Sequence, residues 1–335
     1  MAVPVINVYR GDTVESTHYG DCVVVDSEGK ILYQLGDTQT FTYLRSSAKP
    51  FQTIPIIESG AAHHFKFTSK EIAIISGSHN GEPQQVEIVS EILDKIGLSP
   101  DHLQCGTHLP HYYPANKIEP EPGEKFEPIQ HNCSGKHAGM LALCVFKELS
   151  LDDYLSPEHP IQNLITEAIA SICDYPKKDI KIGIDGCSAP VHGMPIYNMA
   201  LGFARFVTPP SVRREKAKIY SSIYQAFIEH PDLVAGDHRY DTELMRTCKE
   251  RLIAKGGAEG LHCVGLPERK WGMTTKVIDG AKRAQYIFSL ETLRQLGVVT
   301  SEELEKLKEH HGDTLFNWTD KKIGYIKPEF ELEKK

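Results

Sequence analysis

Short apolar runs open the chain, and longer helical periods follow. Residues 3–8 (VPVINV) and 22–26 (CVVVD) read as strands. Asp26-Ser27-Glu28-Gly29 then turns the chain into 31–35 (ILYQL), which predicts an antiparallel hairpin. The next stretch is Arg45-Ser46-Ser47-Ala48-Lys49-Pro50, and Pro50 marks a helix start. Phe51, Ile54 and Ile57 continue it at helical spacing, with Pro55 as a kink and Gly60 as the stop. Thr68-x-x-Glu71 has the form of a capping box. Pro83 starts an amphipathic helix through Val86, Val89, Leu93 and Ile96, stopped by Gly97.

Residues 105–130 follow neither period, and long irregular segments are often functional. Asn132-Cys133-Ser134-Gly135-Lys136-His137 then leads into a helix through Met140, Leu143, Cys144 and Val145. Further helices are predicted at 160–173, 194–206, 211–229, 241–254, 283–295 and 301–310, and strands at 180–184, 261–265 and 272–278. The tail ELEKK reads as frayed or solvated. Strands lie near both ends and helices crowd the middle. That order favours an α+β helix–sheet sandwich over alternating βαβ winding.

Composition narrows the class. The 335 residues suffice for one large domain or two intimate ones, and a single domain over residues 1–335 is the expectation. A net charge of −8 argues against a nucleic-acid surface. No apolar stretch of about 18 residues exists to span a membrane, and the N-terminus has no signal-peptide pattern. Eight scattered cysteines look like reduced thiols, which points to a cytoplasmic protein.

The candidate chemistry begins at Ser46 and Lys49. If this segment opens a helix, the two lie one turn apart on one face. Positive partial charge in a helix's first turn disfavours an ammonium, so Lys49 should shift toward a usable base. A serine beside a neutral amine is an activated nucleophile. The bland reading is a serine cap beside a solvated lysine. Ser78-x-Asn80 and Lys255-Gly-Gly follow in order, as S-x-N and K-x-G follow S-x-x-K in serine β-lactamases and penicillin-binding proteins. Cys133-x-x-Lys136 and Cys187 form a second group, which taken alone reads as buried thiols and a helix-start lysine.

RSSAKP, SGSHNGE, HNCSGKHAGM, DGCSAP, DTELM and KGGAEG, in this order, closely resemble the asparaginase II family, the rhizobial-type (class 3) L-asparaginases. The resemblance covers residues 6 to about 325. It implies a fold similar to serine β-lactamases and glutaminases, and hydrolysis of L-asparagine to L-aspartate and ammonia. It also implies two Ser–Lys pairs, Ser46 with Lys49 and Ser78 with Lys255. Ser46 would be the acylated nucleophile, with Ser78 and Lys255 relaying protons. Cys133, Lys136 and Cys187 would hold Zn2+, with water completing the shell, in a positioning or structural role.

For the substrate, Arg45 is placed to pair with the α-carboxylate and Asp185 with the α-ammonium. His137 would meet carboxylate or amide, and Asn80 joins this binding set. A homodimer is expected by the same resemblance. The alternatives are a glutaminase or broader amidase, a penicillin-recognising serine acyltransferase, and a zinc-stabilised amino-acid-binding protein. Cys248 is the remaining cysteine expected nearest the pocket, because it precedes Lys255 on one predicted helix.

Overall fold

The apolar run at 22–26 is the end of a fourteen-residue strand. The computed structural model describes residues 1–209 and 216–335. Its strands, in chain order, are β1 (Val3–Arg10), β2 (Thr13–Asp26), β3 (Ile31–Leu35), β4 (Phe41–Tyr43), β5 (Lys181–Ile184), β6 (Pro190–Pro195), β7 (Ile253–Gly256), β8 (Leu261–Leu266), β9 (Trp271–Val277), β10 (Asp313–Phe316), β11 (Lys322–Pro328) and β12 (Glu333–Lys334). The chain divides into two compact units. One comprises Met1–Thr42, Pro195–Thr208 and Leu244–Lys335, the other Tyr43–Met194 and Pro209–Glu243. The class is α+β, as the sequence order predicts.

The first unit is a large antiparallel sheet in the order β10-β11-β1-β2-β9-β8-β7, with β3 and then β12 extending from β2. Register fixes its two faces. Gly20, Cys22 and Val24 lie opposite Val277, Thr275 and Met273, so all six point one way. A Cβ on Gly20 would come 2.8 Å from Phe288, which puts the helix Lys282–Gln295 on that face. Val25 lies opposite Gly272 on the other face, where a Cβ on Gly272 would come 1.9 Å from the Ala200 carbonyl oxygen. The helix Ile196–Val207 therefore covers that side. With both faces covered, Cys22, Val23, Val24 and Val25 are all fully buried. This explains why the run reads as continuously apolar rather than alternating.

The second unit is mainly helical and is built around Lys49–Glu58. Eight of this helix's ten residues are buried, Lys49 among them. It packs against Ser134–Phe146, Pro160–Cys173 and Ala217–Glu229. Pro55 lies inside it without ending it. The capping box is present, with Thr68 and Glu71 exchanging both bonds at the start of Ser69–Ile75. β5 and β6 form an antiparallel pair.

Three sequence expectations change. The helix expected over 241–254 ends at Cys248. Lys249 then adopts a positive φ of 53°, and the apolar Ile253–Gly256 becomes strand β7. The tail is not frayed: Glu333 pairs with Gln34, and the Lys335 N–H donates to the Leu32 carbonyl oxygen at 2.9 Å. β4, β6, β10 and β11 went unpredicted. Of the helix expected over 211–229, residues 211–215 lie outside the described residues, and the rest is helical from Ala217. No helix among the described residues is long and apolar enough to cross a membrane.

The contact at Gly272 is testable. Any side chain there must push the Ile196–Val207 helix off the sheet. Gly272→Val is expected to destabilise the protein by roughly 3 kcal/mol, read as a lower urea midpoint. An unchanged midpoint would mean that the helix does not seat on that glycine.

Candidate active site

Arg45–Ala48 forms a 3-10 turn that runs directly into the helix beginning at Lys49. Arg45 opens it with a φ of 50°, in the left-handed region that non-glycine residues rarely adopt. The Lys49 N–H donates to the Ser46 carbonyl oxygen, so Ser46 and Lys49 are three residues apart across one tight turn. Ser46 is half-buried. Among the described residues its hydroxyl makes no hydrogen bond.

Lys49 is only 1% exposed and uses all three of its N–H donors. They reach the Gly77 carbonyl oxygen at 2.6 Å, Ser78 Oγ at 2.8 Å and the Asn132 carbonyl oxygen at 3.1 Å. The bonded serine is thus Ser78, 29 residues away, and not Ser46. Burial lowers the Lys49 pKa; nearby Cys133 opposes that and Lys136 reinforces it. Ser78 is itself fixed, its N–H donating to the Val234 carbonyl oxygen at 2.7 Å. Asn80 is occupied by protein: Nδ2 donates to Glu82 and to the Asp237 carbonyl oxygen, and Oδ1 accepts from Arg239 at 3.1 Å. These bonds clamp the 78–80 loop.

Between them, the His79 Nε2–H donates to Ser134 Oγ at 2.8 Å, because that hydroxyl gives its own proton to the Ile129 carbonyl oxygen. His79 Nδ1 accepts from the Gly81 N–H. Both ring nitrogens are satisfied in the neutral form, and burial holds the His79 pKa at about 3.

The second group sits at the start of Ser134–Phe146. Gly135 is required there: a Cβ would come 2.4 Å from the Ile74 carbonyl oxygen. The close approach draws Cys133 and Lys136 inward. Lys136 Nζ donates to Cys187 Sγ at 2.9 Å, and Cys187 is hydrogen-bonded to Cys133. That bond from Cys187, helped by the cations Lys49 and Lys136, holds the Cys133 thiol well below its ordinary range. The same bond raises Cys187. Burial acts to lower Lys136, but the two sulfurs outweigh it and keep the amine charged. Among the described residues no three His, Cys, Asp or Glu side chains gather where they could hold a metal ion.

Asp185 precedes this cysteine by two residues. Arg45 Nε and Nη2 both bond its Oδ1 at 2.9 Å, and the Gly186 N–H adds a third bond at 2.8 Å. Arg45 and Asp185 are therefore each other's partners in this state. His137 is fully buried, with Nδ1 2.7 Å from the Tyr154 hydroxyl. Burial and then Lys136 hold its pKa well below the usual range. Tyr154 carried no sequence signal, lying in a polar loop without periodicity.

Lys255 belongs to the first unit, on β7, and is 1% exposed. It lies opposite Cys263, and Cys263 opposite Thr274, which puts it on the face covered by Ile196–Val207. Cys248 is buried at the end of its own helix, separated from Lys255 by a 3-10 turn, and burial pushes its thiol up to about 12.

The second unit thus holds a buried lysine bonded to one serine, a second serine one turn away, and an Arg–Asp pair. The family model for L-asparaginase II matches residues 6–328, and the chain belongs to that family. No curated protein sequence matches significantly. Solved structures resemble the chain only loosely. A Mycobacterium bovis β-lactamase shares 13% identity at a TM-score of 0.42, over 82% of this chain and 94% of that one. Mglu in its glutamate form shares 11% at 0.48, over 83% and 61%. An octameric penicillin-binding protein homologue from Pyrococcus abyssi shares 12% at 0.33, over 83% and 73%.

The buried histidines give a pH prediction. His192, bonded through Nε2 to Thr166, is held at about 4 by burial, as His79 is at about 3. Each takes up a proton near pH 6.5 when unfolded but only near pH 3–4 when folded. Their stabilisation is complete above pH 6.5 and drains away as pH falls toward 3–4, by at most about 3 kcal/mol each at pH 4. The melting temperature should fall across that window, and the fall should shrink in His192→Gln.

Proposed function

We propose that this protein is an L-asparagine amidohydrolase acting through a serine acyl-enzyme. The observation that carries this reading is the Lys49 contact set: an amine buried to 1% exposure, bonded to Ser78 and one turn from the unbonded Ser46 hydroxyl. Burial favours the neutral amine that a base requires. Neutral Lys49 accepts the Ser46 proton as Oγ attacks the side-chain amide carbon. Ser78, already on Lys49 Nζ, passes a proton to the departing nitrogen, and ammonia leaves. Water then attacks the acyl-serine with Lys49 again as base, and L-aspartate is released. Lys255 serves as the second lysine of this relay by family resemblance.

Arg45 and Asp185 supply substrate recognition. A free amino acid is a zwitterion, and it can divide an Arg–Asp pair by offering its carboxylate to Arg45 and its ammonium to Asp185. Net charge in the pocket is unchanged by the exchange, so the substrate replaces an existing ion pair without leaving either partner uncompensated. Asn80 holds the Ser78 loop in place. Asparagine is preferred over glutamine as the substrate in this reading, and the assembly is a homodimer.

Zinc fits the donor set of Cys133, Lys136 and Cys187. Two mutually bonded sulfurs and an amine suit a borderline-soft divalent ion, and the Cys133 thiol is already held well below its ordinary range by its bond from Cys187. When bound, the ion would supply a fixed positive charge that displaces both the proton between the cysteines and one proton of the Lys136 ammonium, freeing its lone pair. The residues' own part is to tie the Ser134–Phe146 helix to the segment carrying Asp185.

Ser46→Ala should lower kcat by a factor on the order of 10³ or more while asparagine still binds, as ammonia release and calorimetry would read. Retention of substantial kcat would remove Ser46 as the nucleophile. Cys187→Ser is expected to lower zinc content and melting temperature together, and to raise KM more than it lowers kcat. Elemental analysis of untagged protein is the direct check. Full activity with negligible zinc would return these cysteines to simple buried thiols.

A further inference from the structure

His137 Nε2 is buried and has no hydrogen-bond partner, while Nδ1 lies 2.7 Å from the Tyr154 hydroxyl. The hydrogens of this network can be placed by elimination. The Gln104 N–H donates to the Tyr154 oxygen at 3.0 Å, so the hydroxyl already accepts one bond. If the hydroxyl gives its single proton to His137 Nδ1, both of its roles are filled and His137 carries its own proton on Nε2. In the reverse arrangement, His137 donates from Nδ1. The tyrosine hydrogen then has no acceptor, and Nε2 is left as an unpaired lone pair. That arrangement buries one more unsatisfied group, which is strongly disfavoured.

Tyr154 is held firmly enough to enforce the choice. It is fully buried, its ring meets the imidazole edge-on at 5.7 Å, and its carbonyl oxygen accepts from Gln162 Nε2 at 2.8 Å. Gln104, whose main chain binds the hydroxyl, also binds this loop through its side chain, donating to the Asp152 carbonyl oxygen at 3.0 Å. The imidazole in turn lies in the field of Lys136, Cys133 and Lys49.

We propose that Tyr154 is a positioning residue that fixes His137 as the Nε2–H tautomer, and that this otherwise unpaired N–H is the donor for an acceptor oxygen of the substrate. The inference rests on the amidohydrolase reading for its ligand, though the tautomer itself does not. An amide-bearing amino acid offers two kinds of group. Its carboxylate and amide carbonyl accept hydrogen bonds, and its ammonium and amide NH2 donate them. A fixed N–H selects the first kind and rejects the second. His137 thereby orients the substrate as well as binding it.

The test is a long-range 1H–15N correlation spectrum of the full chain labelled at histidine, with His137 assigned by its loss in His137→Gln. The expected pattern is a protonated Nε2 and an unprotonated Nδ1. Tyr154→Phe should convert it to a tautomer mixture and raise KM for asparagine about tenfold, with kcat changing by less than about threefold. A glutamine amide nitrogen reaches the position of Nε2 and an asparagine nitrogen that of Nδ1. His137→Gln should therefore keep KM within about threefold, and His137→Asn should raise it about tenfold or more. This pair decides the matter if Tyr154→Phe does not fold. A protonated Nδ1 in the unsubstituted protein would overturn the proposal. So would a tautomer and KM unmoved by Tyr154→Phe, or equal effects of the two His137 variants. Absence of any amide hydrolysis would overturn the proposed function instead, because the spectrum reads the tautomer without turnover.

Discussion

Two lysine side chains buried within one helical unit are the constraint on which the rest of the site depends. Lys49 and Lys136 are 1% and 3% exposed. A charge removed from water is tolerated only when its donors are satisfied and an opposing charge is close. The chain meets that demand differently for each. Lys49 has three oxygen acceptors and shares the field of Cys133, whereas Lys136 bonds directly to Cys187. The contrast separates their electrostatics. Burial moves Lys49 toward the neutral amine, and the two sulfurs keep Lys136 a cation.

Close backbone approach is what brings these groups together. Gly135 lets the Ser134–Phe146 helix seat against Ile74, so the residues flanking it arrive beside the helix that starts at Lys49. The Thr53 and Ser76 hydroxyls, 2.8 Å apart, tie that helix to the end of Ser69–Ile75, directly before the loop bearing Ser78. Structural and chemical residues therefore alternate along the same short motifs. In HNCSGKHAGM, Cys133 and Lys136 bond Cys187 and His137 meets Tyr154, while Ser134 and Gly135 fix their positions.

Local features were legible in the sequence where one element decides them. The helix at 160–173, the strand at 180–184 and the Thr68 capping box follow from period and caps, and each is present. Of the motif series, SGSHNGE supplies Gly77 and Ser78 and HNCSGKHAGM supplies Asn132 to the Lys49 amine. Their partners were not legible. Spacing alone couples Lys49 to Ser46, yet its hydrogen bond goes to Ser78, because a lysine side chain reaches across packed helices as easily as along its own. Arg45 and Asp185 were assigned separate charges of a substrate and are bonded to each other across 140 residues. The periodicity of Tyr240–Cys248 runs on through Ile253, so the sequence predicts helix where β7 forms; the positive φ at Lys249 that ends the helix is a backbone choice without a glycine to announce it. The tail's polar composition hid its pairing with β3, since an outer strand needs backbone partners more than apolar side chains.

The order of strands has a consequence for synthesis. β1 pairs with β11 and β2 with β9, so Gly20 must wait for Val277. At ordinary elongation rates that interval is on the order of 10–50 s. Throughout it the valine-rich stretch at 23–25 has no sheet to join across one edge, while most of the helical unit, from Tyr43 to Met194, has already been made. The nascent chain thus has to shelter its first strands until nearly its last ones emerge, so slow, non-local closure of the sheet limits the yield of folded protein more than the helical unit's own folding does.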